Sequence, residues 1–262
     1  VKWFAGALLL SAPGVLFALL IVTFATISPR FLNMDNVGAI FVQSSWLVIA
    51  AVGMNFVLLS AGVDLSVGAV MYLAAVAVAM GLPHAPIWVC LISAIGVGGL
   101  FGALNGFLVA RIGLPAFMAT LALLFVGRGV GLFFSATQIV YASREVAMFG
   151  RDAIWGIRAP LWTAAAAVIV GGLLLSRTAF GPCLRSIGAD AAGARRVGIA
   201  TTAVTWSAYM LCGAFAGLGG FVLLSQTSAA SGAFGQNAAF LAIASAVLGG
   251  TSFIGGRGGL WA

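Results

Sequence analysis

Long apolar runs broken by short polar connections extend from one end of this chain to the other. They fall at approximately Trp3–Ile27, Val37–Leu59, Leu65–Leu82, Ile87–Ala110, Pro115–Ser135, Pro160–Ser176, Ala203–Leu224 and Ala238–Phe253. A helix crosses a hydrocarbon core roughly 30 Å thick with about 20 apolar residues, and runs somewhat shorter or longer also serve. The pattern therefore predicts an all-α, polytopic membrane protein with about eight spans. The first run has no small-residue cleavage site ahead of polar sequence and reads as a retained anchor, not a signal peptide.

Composition supports the membrane as solvent. Hydrophobic residues make up 63% of the 262 and charged residues 6%, against roughly 25% charged in a soluble domain. The net charge of +7 then calls for an account. With the amino terminus in the cytoplasm, the inner connections hold Lys2, Arg111, Arg177, Arg185, Arg195, Arg196 and Arg257. The outer ones hold Arg30, Arg144, Arg151 and Arg158, three of them in the loop Ala136–Ala159 beside Glu145 and Asp152. Seven inner cations against four outer ones satisfy the positive-inside rule, so the charge reads as topology. Basic runs of the kind that bind nucleic acid are missing. Arg128 is the one cation inside a span.

The inventory also excludes classes of chemistry. The chain contains no G-x-x-x-x-G-K-[ST] loop and no H-E-x-x-H, and His84 is its single histidine, in the turn Leu82-Pro83-His84-Ala85-Pro86. The motifs of an ATPase, protease or hydrolase are therefore missing. Cys90, Cys183 and Cys212 are isolated, which argues against a disulfide framework or a zinc site.

Three features remain to be explained. The spans carry Gly96, Gly98, Gly99, Gly102 and Gly106, then Gly213, Gly217, Gly219 and Gly220, and small residues at such spacing let helix backbones approach closely in lipid. The stretch Ser60-Ala61-Gly62-Val63-Asp64-Leu65-Ser66-Val67-Gly68 places a carboxylate between two apolar runs, where an ionisable group is a functional-site hypothesis. Asp64 is expected to cap the third helix through backbone N–H groups, with Ser66 beside it. Finally, the inner connection Arg177–Thr202 contains Asp190 before Ala191-Ala192, then Arg195-Arg196 and Gly198. Acid at the front, base at the back and glycine after predict a short exposed helix between Gly188 and Gly198. Such a helix suits docking, or serves as a capped surface helix that anchors topology.

Five collinear blocks carry a resemblance to a known family: Gly53-Met54 with Ala61 to Gly68; Gly102-Ala103-Leu104-Asn105-Gly106 with Pro115 to Leu121; Arg128-Gly129; Thr178-Ala179-Phe180-Gly181 with Ser186-Ile187-Gly188 to Gly198-Ile199; and Val247-Leu248-Gly249-Gly250-Thr251-Ser252 with Gly255-Gly256-Arg257-Gly258. Over nearly its whole length the chain resembles the inner-membrane permeases of bacterial ABC importers for ribose, xylose, arabinose and related monosaccharides. The branched-chain amino-acid and nucleoside permeases share the architecture, but the wording of the Gly62–Gly68 block is closer to the sugar group.

The resemblance implies a multi-pass permease of the bacterial inner membrane, paired as a homodimer or heterodimer with a second permease copy. It implies cytoplasmic ABC ATPase subunits that carry ATP and Mg, a periplasmic sugar-binding protein, and no cofactor held by this chain. It assigns the inner segment with Gly188, Asp190, Ala191, Arg195, Arg196 and Gly198 to ATPase coupling. Asp64, Ser66, Arg128 and Arg257 become gating or structural residues. Gln43, Asn55, Asn105 and Thr120, with Phe117 as an aromatic wall, become a substrate pathway; the same amides also suit hydrogen bonds between helices. Family members run on through about two further spans, so a permease domain over 1–262 truncated at its carboxyl end is expected. Asn55 stands where threonine is common, and the coupling segment keeps only Asp190 of an acidic pair. A second class of function, an ion- or proton-coupled transporter, would use Asp64 as its carrier and Arg128 as counter-charge.

Overall fold

The computed structural model describes residues 2–28 and 30–260, with side chains from residue 14 onward. The Lys2 side chain, used above for orientation, and the terminal Trp261 and Ala262 lie outside the described residues. Helices occupy all eight predicted runs: α1 (Lys2–Ile27), α2 (Met34–Leu59), α3 (Val67–Gly81), α4 (Ile87–Gly106), α5 (Ala116–Phe134), α7 (Ala159–Arg177), α10 (Thr201–Thr227) and α11 (Ala238–Leu248). Five of the described helical stretches are long and apolar enough to cross a membrane: Met34–Leu59, Ile87–Ile112, Ala116–Phe134, Ala159–Arg177 and Thr201–Thr227.

Three short helices lie outside those runs: α6 (Arg144–Phe149), α8 (Phe180–Ala189) and α9 (Ala191–Arg196). The connection after α5 is more ordered than its polarity suggested. Within it, β2 (Ala153–Ile154) and β3 (Ile157–Arg158) form a hairpin, and β1 (Val140–Tyr141) pairs antiparallel with β4 (Ala229–Ala230) beyond α10. The chain forms two compact units, Val1–Ser44 and Ser45–Ala262.

In the second unit α10 is the axis on which α3 and α4 pack, with α6 and α8 beside them. Its buried face carries Tyr209, Cys212, Phe221 and Leu224. Against it α4 runs antiparallel, Ala94 lying by Gly217 and Gly106 by Trp206. A Cβ on Gly98 would strike the Gly213 carbonyl oxygen and one on Gly102 that of Tyr209, while one on Gly106 would lie 2.7 Å from that of Trp206. The two backbones are thus nearly in contact, which is how helices gain dispersion energy where lipid removes any hydrophobic incentive to associate. Further along α10, Gly220 meets the Met71 backbone of α3. Of the glycines flagged in the sequence, Gly96 faces open space.

Two helix ends differ from expectation for visible reasons. The last turn of the fourth span widens into a π-helical segment, Phe107–Ile112, closed by Gly113 at φ +86°. Just before it, the Trp206 indole donates to the Ala103 carbonyl at 3.1 Å and shares that acceptor with the Phe107 N–H. A side chain inserted into the helical ladder is a recognised cause of such widening. The final apolar run ends at Leu248, not Phe253, because Gly250 turns left-handed at φ +93° while the Thr251 N–H returns to the Ala246 carbonyl at 3.1 Å. That is a Schellman-type stop.

Gly102→Leu should destabilise the protein by about 1–3 kcal/mol or more, since the added side chain meets backbone that cannot yield. Gly96→Ala should be neutral or stabilising by about 0.5 kcal/mol. Thermal unfolding in detergent micelles checks both, and equal losses for the two variants would show that the α4–α10 contact is not tight.

Candidate functional site

The turn from α2 into α3 gathers groups from α4, α5 and α10. Helix α2 stops by a Schellman arrangement: the Ala61 N–H reaches the Leu58 carbonyl at 2.9 Å and the Gly62 N–H the Val57 carbonyl at 3.0 Å. The left-handed residue is Ala61, at φ +60°. Gly62 follows because of space, since a Cβ there would sit 2.5 Å from the Tyr209 hydroxyl. The buried Leu59 carbonyl accepts the Gly256 N–H at 3.1 Å, and Gly188 of α8 lies directly against the same oxygen. Further on, the Val63 carbonyl accepts from Tyr209 of α10 and Thr120 of α5, each at 3.4 Å.

Asp64 is the centre of this turn and only 1% exposed. Its Oδ1 accepts the Ser66 N–H at 2.9 Å and the Ser66 hydroxyl at 2.7 Å. The Asn105 amide of α4 donates to the Ser66 hydroxyl oxygen at 2.7 Å, and to Oδ1 and Oδ2 of Asp64 at 3.3 and 3.4 Å. The Cys212 thiol of α10 faces the same carboxylate. Asp64 therefore closes a tight turn onto Ser66, the residue immediately before α3, instead of reaching the N–H groups of the first helical turn. No side chain caps α3. The Asn105 Oδ1 is buried without a partner among the described residues. No group of three metal-ligating side chains occurs there either.

A second cluster holds Arg128. Its Nη1 donates to the Gly232 and Phe234 carbonyls at 3.0 and 2.7 Å, and its guanidinium lies 5.3 Å from the centre of the Tyr72 ring. The Tyr72 hydroxyl in turn pairs with Ser135 at 3.0 Å. Arg128 thus fixes the connection between β4 and α11. It and Asp64 have separate sets of partners, so the ion-coupled arrangement in which one neutralises the other is not favoured.

The other sequence-selected residues divide by environment. Asn105 and Thr120 converge on the Val63–Ser66 turn, while Asn55 accepts the Thr251 hydroxyl at 3.0 Å. Phe117 and Gln43 are exposed. Arg257 is exposed, its carbonyl accepting the Ser252 N–H at 2.9 Å. In the inner segment Asp190 does cap α9, its Oδ1 accepting the Ala192 N–H at 3.0 Å; Gly198 follows at φ +87°. Arg195, Arg196 and Ala191 are exposed. Tyr209, Cys212 and Thr251 were not singled out as site residues, because each reads as one more residue of its own helix or loop until the chain is folded.

Long apolar helices, two of them in near-backbone contact and several contributing polar groups to one buried helix break, define a multi-pass membrane protein. Residues 36–257 match the profile of a permease family described as the branched-chain amino acid transport system / permease component. The chain belongs to this family of ABC-importer permeases. It is 31% identical to the ribose import permease protein of Escherichia coli (strain K12), over 98% of this chain and 82% of that one. It is 34% identical to the D-allose transport system permease protein of the same organism, covering 93% and 76%. The autoinducer 2 import system permease protein of Klebsiella pneumoniae is 33% identical, covering 96% and 73%. No solved structure matches the chain.

Asp64→Asn keeps an oxygen for Ser66 and should cost about 1 kcal/mol. Asp64→Leu strands three buried donors, each worth about 1–3 kcal/mol, and should cost about 3 kcal/mol or more. Unfolding midpoints of the purified variants test this, and a Leu variant as stable as wild type would contradict the structural role.

Proposed function

We propose that this chain is the conduit of an ATP-driven importer for a monosaccharide or related sugar, received from a periplasmic binding protein. The observation that carries the reading is similarity along almost the whole chain to permeases whose names specify ribose, D-allose and autoinducer 2. The chain is a transport subunit; ATP and Mg belong to partner ATPase subunits, and a second permease copy completes the pathway. The asymmetry of cations favours a cytoplasmic amino terminus, which puts α8 and α9 on the ATPase side.

The inner segment, 177–202, is then the coupling element. Its α9 presents Arg195 and Arg196 on an exposed, firmly capped helix, while Gly188 at the end of α8 abuts the Leu59 carbonyl. A push on α8 and α9 is delivered to the end of α2 and the Asp64 turn without an intervening flexible side chain. Exposed ion pairs contribute only about 0–1 kcal/mol each, so shape and backbone contacts supply most of the ATPase grip. Asn55, Asn105 and Thr120 hold the helices that move, and Gln43 and Phe117 keep open faces for the sugar pathway.

Uptake of labelled pentoses, hexoses and autoinducer-like sugars, in cells that also express the ATPase and binding protein, identifies the cargo. Removing Ala191–Arg196 should abolish both uptake and ATPase copurification while the protein still inserts. Replacing Arg195 and Arg196 alone should weaken association only a few-fold. Sugar uptake that survives the deletion would move the coupling role to another loop.

A further inference from the structure

A cavity of about 580 Å³ opens where the fourth span ends and α10 begins. Its walls include Phe107 and Arg111 from the π-helical segment, Arg195 from α9, and Thr201, Thr202 and Trp206 from the start of α10. Arg111 and Arg195 are exposed, and neither guanidinium has a hydrogen-bond or ion-pair partner among the described residues. Two like charges aimed into one space repel each other until an anion enters.

The floor of the cavity is equally unfinished. Thr201 is only 6% exposed, yet its hydroxyl bonds to no protein group among the described residues. The α10 start has no side-chain cap, and the N–H groups of Thr202 and Ala203 find no carbonyl there. A long helix ending in free N–H groups attracts negative charge. Cations, an unpartnered hydroxyl on a buried residue and free amides around one cavity are donors without an acceptor.

We propose that this cavity binds the phosphate of an anionic membrane phospholipid. Both helices that frame it are long enough to span the bilayer, and the cavity lies at their shared end, at headgroup depth. Phe107 and Trp206 supply an apolar wall along which an acyl chain leaves the phosphate, and indole rings favour that depth. Basic pockets between spans are a known setting for lipid phosphates. The inference goes beyond the transport reading and stands whether or not the cargo is a sugar, since it needs only a membrane-spanning chain. Because Arg195 belongs to α9, an occupied cavity tethers the coupling helix to the foot of α10.

The test is native mass spectrometry and thermal unfolding of the full purified chain in detergent, with phosphatidylglycerol, phosphatidylcholine or inorganic phosphate added. Phosphatidylglycerol should be retained and stabilising. The pair Arg111→Gln and Arg195→Gln should weaken its retention about thirtyfold, whereas Arg111→Lys with Arg195→Lys should keep most of it. Arg151→Gln, which removes an exposed charge elsewhere, should change nothing. Equal stabilisation by phosphatidylcholine or by inorganic phosphate would overturn the assignment to an anionic lipid. So would undiminished phosphatidylglycerol binding in the double Gln variant. Loss of ATPase copurification in Arg111→Gln with lipid retention intact would overturn it too, since the cavity would then hold a partner carboxylate.

Discussion

A helix broken inside a membrane protein leaves backbone groups that water cannot reach, so every one of them must be answered by protein. At the break between α2 and α3 the answering groups are drawn from across the second unit. Two backbone bonds stop α2; Gly256 takes the Leu59 carbonyl; Tyr209 and Thr120 take that of Val63; and Asp64 and Asn105 close around Ser66. The carboxylate is what lets so short a turn be buried, because one oxygen accepts both the N–H and the hydroxyl of Ser66. Each element that contributes a group is placed by the others, so the turn acts as the keystone of the unit.

The glycine contacts follow from the same constraint. For Tyr209 and Cys212 to reach the turn from α10, and Asn105 from α4, the two helices must approach until their backbones nearly touch. Glycines at 98, 102 and 106 on one side and at 213 and 217 on the other make this geometry available. The result is a rigid pair in which little can shift without breaking buried hydrogen bonds. In the coupling role proposed for α8, such rigidity would pass a force on through Gly188 and Leu59 instead of absorbing it. Arg128 plays a comparable role elsewhere, holding the β4–α11 connection through two carbonyls over the Tyr72 ring.

The long apolar runs were legible because hydropathy is local and a lipid-spanning helix has little freedom to be anything else. Asp64 was legible because a carboxylate between such runs is costly, and α9 because capping chemistry is written in consecutive residues. By contrast, α8 went unread: its Gly181-Pro182 start resembles a breaker, and the helix is held by what it packs on, Gly181 lying against the Leu175 carbonyl. The loop after α5 was read as plain polar connection. Its order depends on pairing with Ala229 and Ala230, far away in the chain.

What the sequence determined by itself was the class: a helical membrane protein, the positions of its apolar helices, and the polar turn with a carboxylate that had to matter. Only the tertiary structure decided what each polar residue answers to. It joined Asn105 and Thr120 to the Asp64 turn, sent Asn55 to Thr251, separated Asp64 from Arg128, and left Gln43 and Phe117 exposed. The reason is physical. Insertion into lipid is settled within each run by its own composition, whereas a buried hydrogen bond needs two groups whose meeting depends on the approach and register of helices remote in sequence.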